Sequence, residues 1–150
     1  MEGIVIDTNV FVAAGFNPKS ASARILEGVR EGRFRLIWNE PTRRETEMIL
    51  RRIPRLDWQT VADLFRPEAE FTGQTDQEAF TAIEDPDDRK FAALSAAAAA
   101  PLVTSDKHVL ARRVAVGIDA VTPGAFLARE NKLPDERRDP SEHTQAHGRD

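Results

Sequence analysis

Cysteine is absent from the 150-residue chain. That excludes disulfides, zinc–thiolate centres and cysteine nucleophiles together, and it fits a reducing compartment. Long apolar runs are missing as well. No stretch approaches the roughly 20 residues that a membrane-spanning helix requires, and the alanine-rich run 92–100 is too short and too weakly apolar. Met1-Glu2-Gly3 is followed by a brief apolar segment, Ile4 to Ile6, without a basic start or an extended apolar stretch. No signal peptide is therefore expected, and a cytoplasmic location is. Histidine is scarce: His108, His143 and His147 have no ligand spacing with one another. No internal repeat is visible.

What remains is ordinary globular composition, 41% hydrophobic and 31% charged, in a length that suits one domain with its own core. The net charge of −4 is a poor overall match to nucleic acid, but the charges are unevenly spread. Seven arginines fall between Arg33 and Arg55 against Glu40, Glu45 and Glu47, while ten acids fall between Asp57 and Asp88 against Arg66 alone. One segment is suited to grip phosphates and the other to attract cations; two solvated faces are the plainer alternative.

Gly3-Ile4-Val5-Ile6 has the β-branched, non-alternating character of a strand buried on both faces. A short helix is expected through Val10 to Ala14, broken near Gly15, Asn17 and Pro18. A second, capped by Ser20 or Ser22, carries Ile25, Leu26 and Val29 and stops at Gly32. Phe34 to Trp38 predicts a strand. Asn39 then caps a helix with Pro41 in its first turn, ending before Pro54. Asp57 predicts another cap, and short strands are expected at 70–72 and 79–83. Asp85-Pro86-Asp87-Asp88 opens an alanine-rich helix that Pro101 ends. Leu102 to Thr104 is a further buried strand, followed by a short helix around Val109-Leu110. Val114 to Val116 or Ala120-Val121 supplies the last strand, and residues 122–127 turn into a short helix. From Arg129 the chain holds five bases and six acids and little to bury, so one folded domain over 1–128 and a disordered polar tail over 129–150 are expected.

Strands alternating with helices predict a three-layer α/β/α, Rossmann-like fold with a mainly parallel central sheet. Ligands of such sheets sit beyond the carboxyl ends of the strands, which singles out the acids there. Asp7 directly follows one buried strand and Asp106 closely follows another. Glu45 lies early in the helix after the second strand, and Asp88 lies in the first turn of the alanine-rich helix. Four converging carboxylates repel one another unless a cation joins them. With neither cysteine nor histidine alongside, a hard ion such as Mg²⁺ or Mn²⁺ fits better than zinc. One or two such ions on Asp7, Asp106 and their neighbours would activate a phosphodiester for hydrolysis. Thr8, Asn9 and Thr104 are placed to orient ligands or waters, and Arg43, Arg44, Arg51 and Arg52 to hold a nucleic-acid backbone. Each residue also has a plainer reading. Asp7, Asp85, Asp87, Asp88 and Asp106 suit helix capping, Glu45 or Glu47 suits an intrahelical ion pair, and Thr104 suits a β-strand.

Taken together these segments resemble the PIN-domain family of ribonucleases. Ile4-Val5-Ile6-Asp7-Thr8-Asn9-Val10 is similar to its first strand and Asp-Thr-Asn hallmark. Asn39 to Glu45 followed by Leu50 resembles the segment bearing its glutamate. Residues 85–94 resemble the segment of its third acid, matched to Asp88 by spacing to Phe91-Ala92, with Asp85 and Asp87 as the competing registers. Val103-Thr104-Ser105-Asp106-Lys107 resembles its threonine-x-aspartate strand end. Val121 to Leu127 is similar to the closing segment of one bacterial branch. The resemblance implies a metal-binding set of Asp7, Asp88 and Asp106, catalysis by these with Glu45, and cleavage of single-stranded RNA using Mg²⁺ or Mn²⁺. It also implies a bacterial toxin that pairs with an antitoxin protein and forms a homodimer. A phosphoaspartyl receiver is disfavoured because Asp57 does not end a strand, and a haloacid-type phosphatase because position 9 is Asn9. A PIN-fold module that binds RNA without cutting it is the remaining rival.

Overall fold

The structure is a computed structural model that describes residues 2–131. Four strands form one sheet: β1 (Glu2–Ile6), β2 (Phe34–Leu36), β3 (Leu102–Val103) and β4 (Ala120–Val121). Their order is β2-β1-β3-β4 and every pairing is parallel. Among the described residues six α-helices flank them: α1 (Thr8–Phe16), α2 (Ala21–Arg30), α3 (Glu40–Arg52), α4 (Pro86–Ala98), α5 (Lys107–Val116) and α6 (Pro123–Asn131). The expected three-layer architecture is therefore present, and the sheet expected to be mainly parallel is parallel throughout.

The layering follows from the alternation of side chains along each strand. Ile4 and Ile6 of β1, with Val103 of β3, enter a core shared with α1, α2 and α6. Val5, Leu102 and Ala120 point the other way, into a core with Phe91 to Leu94 of α4 and Val109 of α5. Both faces of β1 and β3 are covered, which is why these central strands carry apolar runs, while the edge strand β2 alternates around the exposed Arg35. The first core continues through an aromatic cluster in which the Phe65 ring lies 5.6 Å from Phe11, 5.3 Å from Trp58 and 6.0 Å from Trp38. Trp58, Leu64 and Phe65 are thus core residues rather than an exposed apolar face.

The caps sit where the sequence put them. Ser20 accepts the Ala23 N–H, and Asn39 forms a reciprocal box with Thr42, with Pro41 in the first turn. Three local expectations change. Residues 79–83 are not a strand: a 3₁₀ turn, Gln77–Phe80, is capped by Asp76, and Phe80 and Ile83 bury together at the turn-like spacing of three. The 70–72 segment contributes a single parallel bridge, Glu70 to Trp38. Val114 to Val116 ends α5, with Val114 87% exposed, so Ala120-Val121 is the last strand. The polar stretch expected to start at Arg129 begins inside α6, and its residues 132–150 lie outside those described.

α4 ends on Ala99, which adopts the left-handed conformation at φ 52°. An L-residue there clashes with its own carbonyl, which glycine avoids. Ala99→Gly is expected to stabilise the fold by about 0.5–1 kcal/mol, the relieved strain being partly offset by a freer unfolded chain. A rise of about 2–4 °C in melting temperature would register it.

Candidate active site

The carboxyl ends of β1 and β3 lie side by side. The Asp7 N–H donates to the Val103 carbonyl at 3.0 Å, continuing the ladder one step past β1. The Thr104 hydroxyl donates to Asp7 Oδ2 at 2.7 Å and accepts the Asp106 N–H at 3.1 Å. Thr104 is fully buried and Asp7 is 4% exposed. Asp7 occupies the N-cap position of α1 with the Asn9 backbone beside its carboxylate, but without full capping geometry; its Oδ2 is taken by Thr104. Asp106 does cap: its Oδ1 accepts the His108 and Val109 N–H groups at the start of α5. Asp85 is likewise the cap of α4, accepting the Asp87 N–H. That leaves Asp88, two residues beyond Pro86 in the first turn of α4, as the partly buried acid among the three.

Asp88 lines two adjoining clefts. One, of about 190 Å³, also holds Asp7, Thr8, Asn9, Glu45 and Asp87. The other holds Asp106 and His108. Burial pushes the Asp88 carboxyl up to about 7, aided by the charges of Asp7, Asp106 and Asp85 and by a hydrogen bond with Asp106. Burial also raises Asp7, against the lowering effect of the Thr104 hydroxyl and the Asn9 backbone, with the Asp106 charge adding to the rise. Asp7, Asp88 and Asp106 thus form one electrostatic group. Glu45 faces the first cleft from α3 but is held by Lys90 of α4, whose Nζ lies 3.0 Å from Glu45 Oε1. The Thr8 and Thr46 hydroxyls bond at 2.8 Å, fastening α1 to α3 behind the cleft.

A family model described as PIN domain matches residues 3–108. The chain belongs to the PIN-domain family. PIN domains are generally nucleases and typically use divalent metal ions. No curated protein and no solved structure is similar enough to match the chain. The matched span contains all four candidate acids; the resemblance of residues 121–127 to a closing segment falls outside it.

The donor chemistry of this PIN domain suits a hard cation. Asp7, Asp88 and Asp106 offer carboxylate oxygens alone; burial first, and then the charges of its neighbours, push the Asp88 carboxyl up, and a divalent ion would relieve the repulsion. They do not form a finished cage: among the described residues no group of three or more acids or histidines is arranged to enclose a metal. The arginines divide. Glu47 takes Arg43 at 3.0 Å and Arg51 at 2.7 Å, and Arg43 also stacks over Trp58 at 5.2 Å. Arg44 and Arg52 are exposed and enter no ion pair among the described residues. Arg52, seven residues after Glu45, shares its helix face.

Sequence reasoning missed Lys90. Its signal was helical phase: Lys90 stands three and four residues before Ala93 and Leu94, both buried, and therefore on the inward face. It also passed over His108, which sits in the cleft with Asp88 and Asp106. No described helix is long and apolar enough to cross a membrane.

Proposed function

We propose that this PIN domain is a metal-dependent endoribonuclease that hydrolyses phosphodiester bonds in single-stranded RNA. The observation that carries the reading is the mutual electrostatic action of Asp7, Asp88 and Asp106 at the carboxyl ends of β1 and β3. These three would hold Mg²⁺ or Mn²⁺, and the ion would supply the Lewis acidity that phosphodiester hydrolysis needs. The residues of the chain do the rest. Thr104 locks the Asp7 carboxylate in one orientation by donating to Oδ2. The cap on α5 fixes Asp106 through His108 and Val109. Asn9, exposed at the rim of the cleft, presents its amide to the substrate. Arg44 and Arg52 take backbone phosphates, an electrostatic contact without base preference.

We propose further, on the resemblance to the bacterial branch, that the protein is the cytoplasmic toxin of a toxin–antitoxin pair and acts as a homodimer neutralised by its antitoxin protein. The deciding experiment is cleavage of a labelled single-stranded RNA by the purified chain with Mn²⁺, with Mg²⁺ and with EDTA. Cutting is expected with either ion and none with EDTA. Cutting that persisted unchanged in EDTA would overturn the metal-dependent reading, while RNA binding without cutting under every condition would favour the binding module.

A further inference from the structure

The pair Glu45–Lys90 joins the two helices that wall the cleft, α3 and α4, at 3.0 Å, and its side chains are 10% and 17% exposed. Lys90 also lies 3.8 Å from Asp87, which is 67% exposed. An ammonium this dry needs a counter-charge, and removing one member of such a pair leaves the other stranded in a low-dielectric place. Glu45 reaches the cleft that Asp7 and Asp88 line, but its Oε1 is the atom that Lys90 holds. The fourth carboxylate of the site thus has a cationic partner within the chain, whereas Asp7, Asp88 and Asp106 enter no ion pair among the described residues.

We infer that Lys90 is a built-in cation that neutralises Glu45 and takes the place of a second metal ion, so that the site binds a single divalent ion through Asp7, Asp88 and Asp106. This rests on the metal-dependent reading above. A second ion reaching Glu45 would have to displace the ammonium and leave it with only the exposed Asp87 as partner, close to a first ion, since paired catalytic ions stand only about 3.5–4 Å apart. Lysine suits the role because its charge is compact and held on a flexible stem. Lys90 is in this sense a positioning residue: it decides which carboxylates are offered to metal.

The test is calorimetric titration of the full chain, stripped with EDTA and dialysed, with Mn²⁺ alone, each variant first checked for a cooperative thermal transition. The wild type is expected to bind one equivalent. Lys90→Met should bind two, because the uncovered Glu45 recruits its own ion. Lys90→Arg should bind one, and so should the double variant Lys90→Met, Glu45→Gln, which strands no charge. Two equivalents in the wild type, or one in Lys90→Met, would overturn the inference while leaving metal binding intact. No binding by the wild type would bring down the metal-dependent reading along with it. The wild-type count needs no variant, so the inference stays open to refutation even if Lys90→Met does not fold.

Discussion

Asp7→Asn should lower RNA cleavage at least about a hundredfold, the scale on which metal-site and charge-stabilising groups act, while the melting temperature of the metal-free protein holds or rises. The two halves of this expectation have different causes. Asparagine keeps an oxygen to accept the Thr104 hydroxyl, so the 2.7 Å contact that fastens the end of β1 to the end of β3 survives. It removes a charge that burial makes costly and that Asp106 opposes. Function suffers because the most deeply buried of the three carboxylates no longer offers charge to a cation. Initial cleavage rates and a thermal melt on the same preparation separate the two effects. A variant that cut at the wild-type rate would remove Asp7 from the machinery and the three-carboxylate mechanism with it.

The second large effect concerns Asp88 in metal-free protein. Its carboxyl is raised from the ordinary 3.8 to about 7 in the fold, so between those values the folded state holds a proton that the unfolded state has released. Stability from this group is therefore intact below about pH 4, is lost progressively as pH rises toward 7, and stays lost above it. Asp88→Asn should match the wild type near pH 4 and exceed it by about 1–2 kcal/mol at pH 8, the linkage value being discounted for a half-exposed carboxyl screened by solvent. Urea unfolding in EDTA at the two pH values measures this. Adding Mn²⁺ at pH 8 should reverse the order, because the ion stabilises the protein whose three carboxylates are complete. Parallel pH profiles for the two proteins would mean that neither burial nor the charges of Asp7 and Asp106 raise the Asp88 carboxyl.

Much of this arrangement was legible in the sequence because it is local. A strand buried on both faces must be apolar throughout, so 3–6 and 102–104 announced themselves, and the acids directly after them had to lie at one sheet edge. The choice of Asp88 over Asp85 and Asp87 was legible through spacing to Phe91 and Ala92: one helical turn later both are buried, so Asp88 shares the inward phase. The arginine helix was half legible. Glu47 stands four residues from both Arg43 and Arg51 and takes them, which local spacing allows one to foresee. That Glu45 would meet Lys90 was not foreseeable from pattern, since 45 residues and a crossing of two helices separate them. Asp57 was legible as a cap and is one, but residues 68–84 resisted reading for a different reason. Their short 3₁₀ turns have no sustained period, and Phe80 and Ile83 are ordered by burial in the core they share with α4 rather than by their own backbone.

The bonds among Asp7, Val103, Thr104 and Asp106 have a bearing on how the site tolerates change. Because Asp7 stays in the ladder beside β3, its distance from the β3 end is set by the spacing of neighbouring strands, about 4.8 Å in any sheet. The principal dimension of the site is therefore a property of the backbone and not of any packed side chain. Substitutions that accumulate in either core over evolutionary time can loosen the helices without changing that gauge, so long as the β1–β3 pairing holds.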